Sequence, residues 1–157
     1  TTLVVVREDI LGKVSRKIPS MMDYKVHIGK GSMFNTPPVF PVYASMLNLE
    51  WLKNKGGIAA IEKENEKKAQ LIYSEIDLNP LFNGFAAKTD RSTMNATFTL
   101  ANEDLKESFD TMWQEAGING LNGHRSVGGY RASMYNALPL ESVQVLVEIM
   151  SELERKA

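Results

Sequence analysis

The chain has no cysteine, which rules out disulfides, thiolate metal sites and cysteine nucleophiles. Histidine is scarce: His27 and His124 are the only two, and their wide separation gives no basis for a His-rich metal site. Long apolar runs are also lacking. None approaches the length of a membrane span or has the form of a signal peptide, so a soluble, cytoplasmic protein is expected. An excess of either charge is missing too; a formal net charge of -1 offers no electrostatic case for nucleic acid or an acidic membrane as partner. What remains is ordinary for a globular protein. Hydrophobic residues make up 43% and charged residues 24% of 157 positions, which excludes a disordered or fibrous chain and is enough to bury a core. No internal repeat or low-complexity segment is present.

A more local absence points towards chemistry. No Asp or Glu occurs from Gly117 through Leu140, so His124, Arg125 and Arg131 have no counter-ion nearby in sequence. Unpaired arginines close to a Gly-Gly turn suit an anionic ligand, because a guanidinium is a planar fork that grips a carboxylate or phosphate in bidentate fashion. The segment from Tyr130 to Tyr135 has strand propensity, which would place Arg131, Ser133 and Tyr135 on one face. Gly128 and Gly129 free the backbone to turn between Arg131 and a second cationic point at His124 and Arg125. On local pattern alone, solvated arginines in a surface loop remain an open alternative.

The remaining elements follow from periodicity. Thr1 to Val6 is a continuous apolar run with β-branched residues, the pattern of a strand buried on both faces of a parallel sheet. Few partners for such a strand exist in the sequence, so the chain is expected to be the C-terminal part of something longer. The segment from Lys13 to Lys30 reads as a solvated basic loop. In Gly31 to Phe40, Pro37 and Pro38 hold Asn35 and Thr36 extended. That leaves an amide and a hydroxyl free to donate to a phosphate, or Thr36 free to cap the next helix. Pro41 to Asn54 is predicted as a helix whose apolar residues serve a core or a subunit interface, ended by Gly56-Gly57, a plausible hinge. A second helix from Ile58 to Ile76 has an apolar stripe of Ile58, Ile61, Ala69, Ile72 and Ile76, with its charges, Lys68 included, on a solvated face. Strands are predicted at residues 85–88 and 94–100, then a helix capped by Asn102 with Leu105, Phe109, Met112 and Trp113 inward. After the cationic strand, Pro139 opens a last helix with Val143, Leu146, Val147, Met150 and Leu153 inward. Residues 64–157 thus read as a small α+β domain and residues 1–63 as the end of a larger one.

Two of these stretches, GSMFNTPPVF at residues 31–40 and GHRSVGGYRASMYNALPL at residues 123–140, resemble the phosphoserine aminotransferase family of class V aminotransferases. The resemblance extends over Thr2 to Gly12 and the Asp90-Arg91-Ser92-Thr93-Met94-Asn95 segment. It implies an α/β fold, the fold type I of pyridoxal-phosphate enzymes, and a homodimer with active sites at the subunit interface. It implies pyridoxal 5'-phosphate as cofactor, with Asn35 and Thr36 donating to the cofactor phosphate of the neighbouring subunit. Arg131 would hold the substrate α-carboxylate, and His124 with Arg125, from across the interface, the phosphate end. The implied reaction is transamination between O-phospho-L-serine and 2-oxoglutarate, giving 3-phosphohydroxypyruvate and glutamate in serine biosynthesis. The phosphohydroxythreonine step of vitamin B6 synthesis is the related family reaction. The family's Schiff-base lysine falls upstream of Thr1, so no catalytic residue is assigned within this chain, and the isolated chain is expected to be inactive. A non-catalytic anion-binding or dimerisation module is the alternative.

Overall fold

A computed structural model describes residues 1–126 and 128–157, in two units, Thr1–Asn54 and Lys55–Ala157. The division lies beside Gly56-Gly57 and ahead of residue 64.

The first unit holds short 3-10 turns at Glu8–Ile10 and Ser20–Met22, helix α1 (Tyr24–Gly29) and helix α2 (Val39–Asn54). Asp23 starts α1 by accepting from the Lys25 amide at 2.9 Å. None of its described residues is buried. The strand expected at Thr1 to Val6 is not formed, and Leu3 and Val5 stand 88% and 90% exposed. An apolar run becomes a buried strand only through a ladder on each side, and no strand among the described residues pairs with this one. The core alternative for α2 fails likewise, since Tyr43, Met46, Leu47 and Leu49 are all exposed.

In the second unit, helix α3 (Gly57–Leu78) buries the stripe Ile61, Asn65, Lys68, Ala69, Ile72 and Ile76. Ile58, expected inward, is exposed, as is Ala59 beside it. Lys68, expected in solvent, is buried. Asn79 then turns the chain, its side chain accepting from the Leu81 amide at 3.0 Å and donating to the Met150 carbonyl at 3.1 Å. Three strands follow in the antiparallel order β1 (Phe82–Gly84), β2 (Asn95–Leu100), β3 (Tyr130–Ser133). The first strand is Phe82–Gly84 rather than the expected residues 85–88. Pairing Phe82 with Leu100 puts the Phe82 ring in the core, whereas Phe85 is exposed and keeps only its amide bond to the Thr97 carbonyl.

The loop between β1 and β2 is tied back to α3. The Arg91 fork donates to Asp77 at 2.6 and 3.0 Å and lies over the Tyr73 ring, while the Tyr73 hydroxyl donates to the Ser92 and Asn95 carbonyls. Helix α4 (Lys106–Glu115) is preceded by a 3-10 turn at Glu103–Leu105 that Asn102 caps, and helix α5 (Leu140–Lys156) follows Pro139. Phe82, Ala96, Phe98, Leu100, Tyr130, Ala132 and Met134 bury one face of the sheet in a core shared with α3, α4 and α5. Phe109 and Tyr130 meet edge to face at 4.9 Å, and Phe98 stacks on Tyr130 at 5.5 Å. Burial of each such ring stabilises by about 2–3 kcal/mol. The opposite face of the sheet is polar, with Thr97 directly across from Arg131 and Asn95 across from Ser133. Among the described residues no helix is long and apolar enough to cross a membrane.

Candidate functional site

Alternation along β3 sends Tyr130 and Ala132 into the core and leaves Arg131 exposed on the other face. The strand is fixed at its start by the Tyr130 hydroxyl, which donates to Asp110 at 2.9 Å. Burial and this carboxylate together push the Tyr130 phenol well above its ordinary value. Burial pushes the Asp110 carboxyl up, but hydrogen bonds from Lys106, Trp113 and Tyr130 outweigh it and leave the carboxyl below its ordinary value. Asp110 is thus a structural carboxylate occupied by three donors.

The loop before β3 is closed by its own backbone. The Gly123 amide donates to the Gly129 carbonyl and the Gly128 amide to the His124 carbonyl, both at 2.8 Å. Only glycine fits at Gly123, where a Cβ would sit 2.0 Å from the Gly128 carbonyl oxygen. Gly129 has a φ of +60° and approaches the Phe98 carbonyl so closely that a Cβ would lie 2.6 Å from its oxygen. These contacts fold the loop down onto β2 and set His124 beside the polar face of the sheet. Val127, within the cationic stretch, lies outside the described residues.

A cavity of about 180 Å³ opens on that face, lined by Phe85, Thr97, Thr99, His124, Gly128 and Arg131 among others, with no carboxylate in its wall. His124 and Arg131 therefore share a pocket. Arg125 is exposed within the same loop and does not line it. Neither guanidinium has a carboxylate partner among the described residues. The His124 Nδ1 accepts from the Ser126 amide at 3.2 Å and lies 2.7 Å from the Ser126 hydroxyl. In the neutral ring this leaves the proton on Nε2, so the imidazole retains a donor for a ligand. A guanidinium, an imidazole N–H and two threonine side chains thus line one cavity with no carboxylate among its described residues.

Asn35 and Thr36 belong to the first unit, and both are exposed. Helix α2 begins at Val39, after Pro37 and Pro38, and no hydrogen bond from the Thr36 side chain caps it. Neither side chain has a hydrogen-bond partner among the described residues, which suits a phosphate acceptor. No cluster of metal-ligating side chains occurs among the described residues.

Sequence reasoning missed two contributions. Thr97 and Thr99 line the pocket because β2 alternates core and outer positions opposite Arg131, a signal present in the strand itself. Lys68 donates to the carbonyls of Met134, Tyr135 and Leu138, just beyond β3. Its signal was position: it falls on the same helical stripe as Ile61, Ile72 and Ile76.

Comparison with known proteins gives this geometry a context. Phosphoserine aminotransferase from Flavobacterium psychrophilum is 69% identical over 156 residues, covering 99% of this chain and 44% of that protein. The enzyme of the same name from Bacteroides thetaiotaomicron is 55% identical, with 98% and 44% covered. The chain spans less than half the length of these relatives. Among solved structures, phosphoserine aminotransferase from Bacillus circulans subsp. alkalophilus superposes with a TM-score of 0.86 at 41% identity, over 96% of this chain and 42% of that one. A phosphoserine aminotransferase from Trichomonas vaginalis with PLP bound gives 0.77 at 37% identity, over 88% and 40%. The α/β class expected from the sequence, fold type I with a small α+β domain, is the class of these neighbours. The profile of the family described as Aminotransferase class-V matches residues 1–146, and the chain belongs to that family.

Proposed function

We propose that this chain is part of a phosphoserine aminotransferase, one that transfers the amino group between O-phospho-L-serine and 2-oxoglutarate in serine biosynthesis. Phosphohydroxythreonine is the related substrate. The observation that carries the reading is that Arg131 and His124 each present donors on the polar side of the sheet with no facing carboxylate among the described residues. A substrate with an anion at each end needs two such cationic points. Arg131 takes the α-carboxylate, where its fork fixes orientation as well as charge. His124 and Arg125 take the phosphate, or the smaller side-chain carboxylate of glutamate.

The chain's donors also fit a cofactor. The Asn35 amide and Thr36 hydroxyl would hold the phosphate of pyridoxal 5'-phosphate, contributed to the site of the neighbouring subunit in a homodimer. When bound, that group supplies the electron sink for the pair released as the substrate's α-proton leaves. The exposed apolar side chains of α2 suit a subunit contact. The names of the relatives favour this reading over a non-catalytic anion-binding module, and a cytoplasmic location accords with it.

Steady-state kinetics of a full-length protein carrying this chain test the reading. Arg131→Lys should raise KM roughly 10-fold or more for phosphoserine and glutamate alike, because the bidentate fork is lost. Arg125→Ala should penalise phosphoserine more than glutamate. Unchanged kinetics with Arg131→Lys, or no transamination by the parent protein, would remove the assignment.

A further inference from the structure

A lysine at 2% exposure is unusual, and among the described residues no carboxylate is bonded to Lys68. Its ammonium is instead satisfied by main-chain oxygens, donating to Met134 at 3.0 Å, Tyr135 at 2.9 Å and Leu138 at 3.1 Å. These bonds use the donors of the ammonium in full. Burial lowers the pKa of this lysine, and the charge of Glu64, on the same helix, works in the opposite direction. One position earlier in the stripe, Asn65 donates to the Asn136 side chain at 2.9 Å, in the same turn.

A leucine at position 68 would fill this core at far lower desolvation cost. What the lysine adds is a fixed path for the backbone that leaves β3. That strand is short; it pairs with β2 on one side, and on the other the Arg131 amide donates to the Leu121 carbonyl at 2.7 Å, so the residues after Arg131 depend on other contacts. Its start is held by Tyr130 on Asp110 and its exit by Lys68, and Arg131 sits between the two anchors, facing the pocket side. We infer that Lys68 is a positioning residue for Arg131, clamping the exit of β3 so that the guanidinium is presented in register with the pocket. The inference rests on the reading above, in which Arg131 holds the substrate carboxylate.

A double-mutant cycle in the full-length protein tests it, with KM for glutamate as readout. Lys68→Met alone should raise KM roughly 10-fold with kcat little changed, the pattern of lost ground-state orientation. On an Arg131→Ala background the same substitution should add nothing, because there is no guanidinium left to position. Equal effects on both backgrounds, or no KM effect on the intact one, would overturn the inference while leaving the carboxylate assignment standing. If Arg131→Ala itself leaves KM unchanged, the carboxylate assignment fails and the inference falls with it. Should Lys68→Met not fold, Lys68→Gln, which removes the charge and one of the three donors, takes its place in the cycle, and equal effects on both backgrounds overturn the inference there too.

Discussion

Gly129 joins a positive φ to a close approach over the Phe98 carbonyl, so the loop that carries His124 depends on a residue with no side chain at all. Gly129→Ala should destabilise the chain by about 1–3 kcal/mol, read from urea unfolding, since both the left-handed backbone and the contact must be relieved. On the core side of the same strand, Tyr130→Phe keeps the ring packing but withdraws a donor from Asp110. A loss of about 1–2 kcal/mol is expected by the same measurement. At this scale the sequence was informative where charge was conspicuous by isolation. Arg131 stood out because no acid surrounds it, and alternation fixed its face. Lys68 did not, because a lysine among Glu62, Lys63, Glu64, Glu66 and Lys67 reads as one more solvated charge, and only its place on the apolar stripe betrays that it is buried. The three carbonyls it holds are far away in sequence, and no local pattern encodes them.

Among the elements, the loop from β1 to β2 shows how one carboxylate with two cations substitutes for regular structure. Hydrogen bonds from Arg91 and Lys88 hold the Asp77 carboxyl well below the usual carboxylate range. Because the folded pKa is depressed, the stabilisation is fully present above the unfolded value of about 3.9 and is lost as pH falls from there towards the folded pKa. Asp77→Asn should therefore lower stability at pH 7 by about 1 kcal/mol and flatten its decline below about pH 4, both visible in unfolding midpoints across a pH series. Elements with a long period were legible: α3, α4 and α5 bury most of the residues their spacing selects, with Leu105, Met112 and Val147 partly covered and Ile58 exposed. The short strand β1 was not, because three residues ending in Asn83-Gly84 look like a turn until β2 supplies the partner for Phe82. Thr1 to Val6 misled for the converse reason, as composition marks a strand and only pairing makes one.

At the scale of the whole molecule, the two units differ in kind. Lys55–Ala157 has a contiguous apolar core, whereas no described residue of Thr1–Asn54 is buried. Limited proteolysis of this chain should accordingly cut first within the first unit and leave a resistant product close to residues 55–157, identified by mass, because protection follows buried contacts. The assembly proposed for the full-length protein makes a separate demand. His124 and Arg131 of one chain line a single cavity, while the family resemblance places them in different active sites of a two-fold dimer. Mixing Arg131→Ala and Arg125→Ala subunits of the full-length protein separates these arrangements. If the two arginines meet across the interface, each hybrid dimer contains one site with both mutated and one with both intact. Random reassociation should then restore about a quarter of the wild-type sites, measured as phosphoserine transamination after refolding the mixture. If both arginines serve the site of their own chain, every site in the mixture is defective and activity stays at the level of the separate variants.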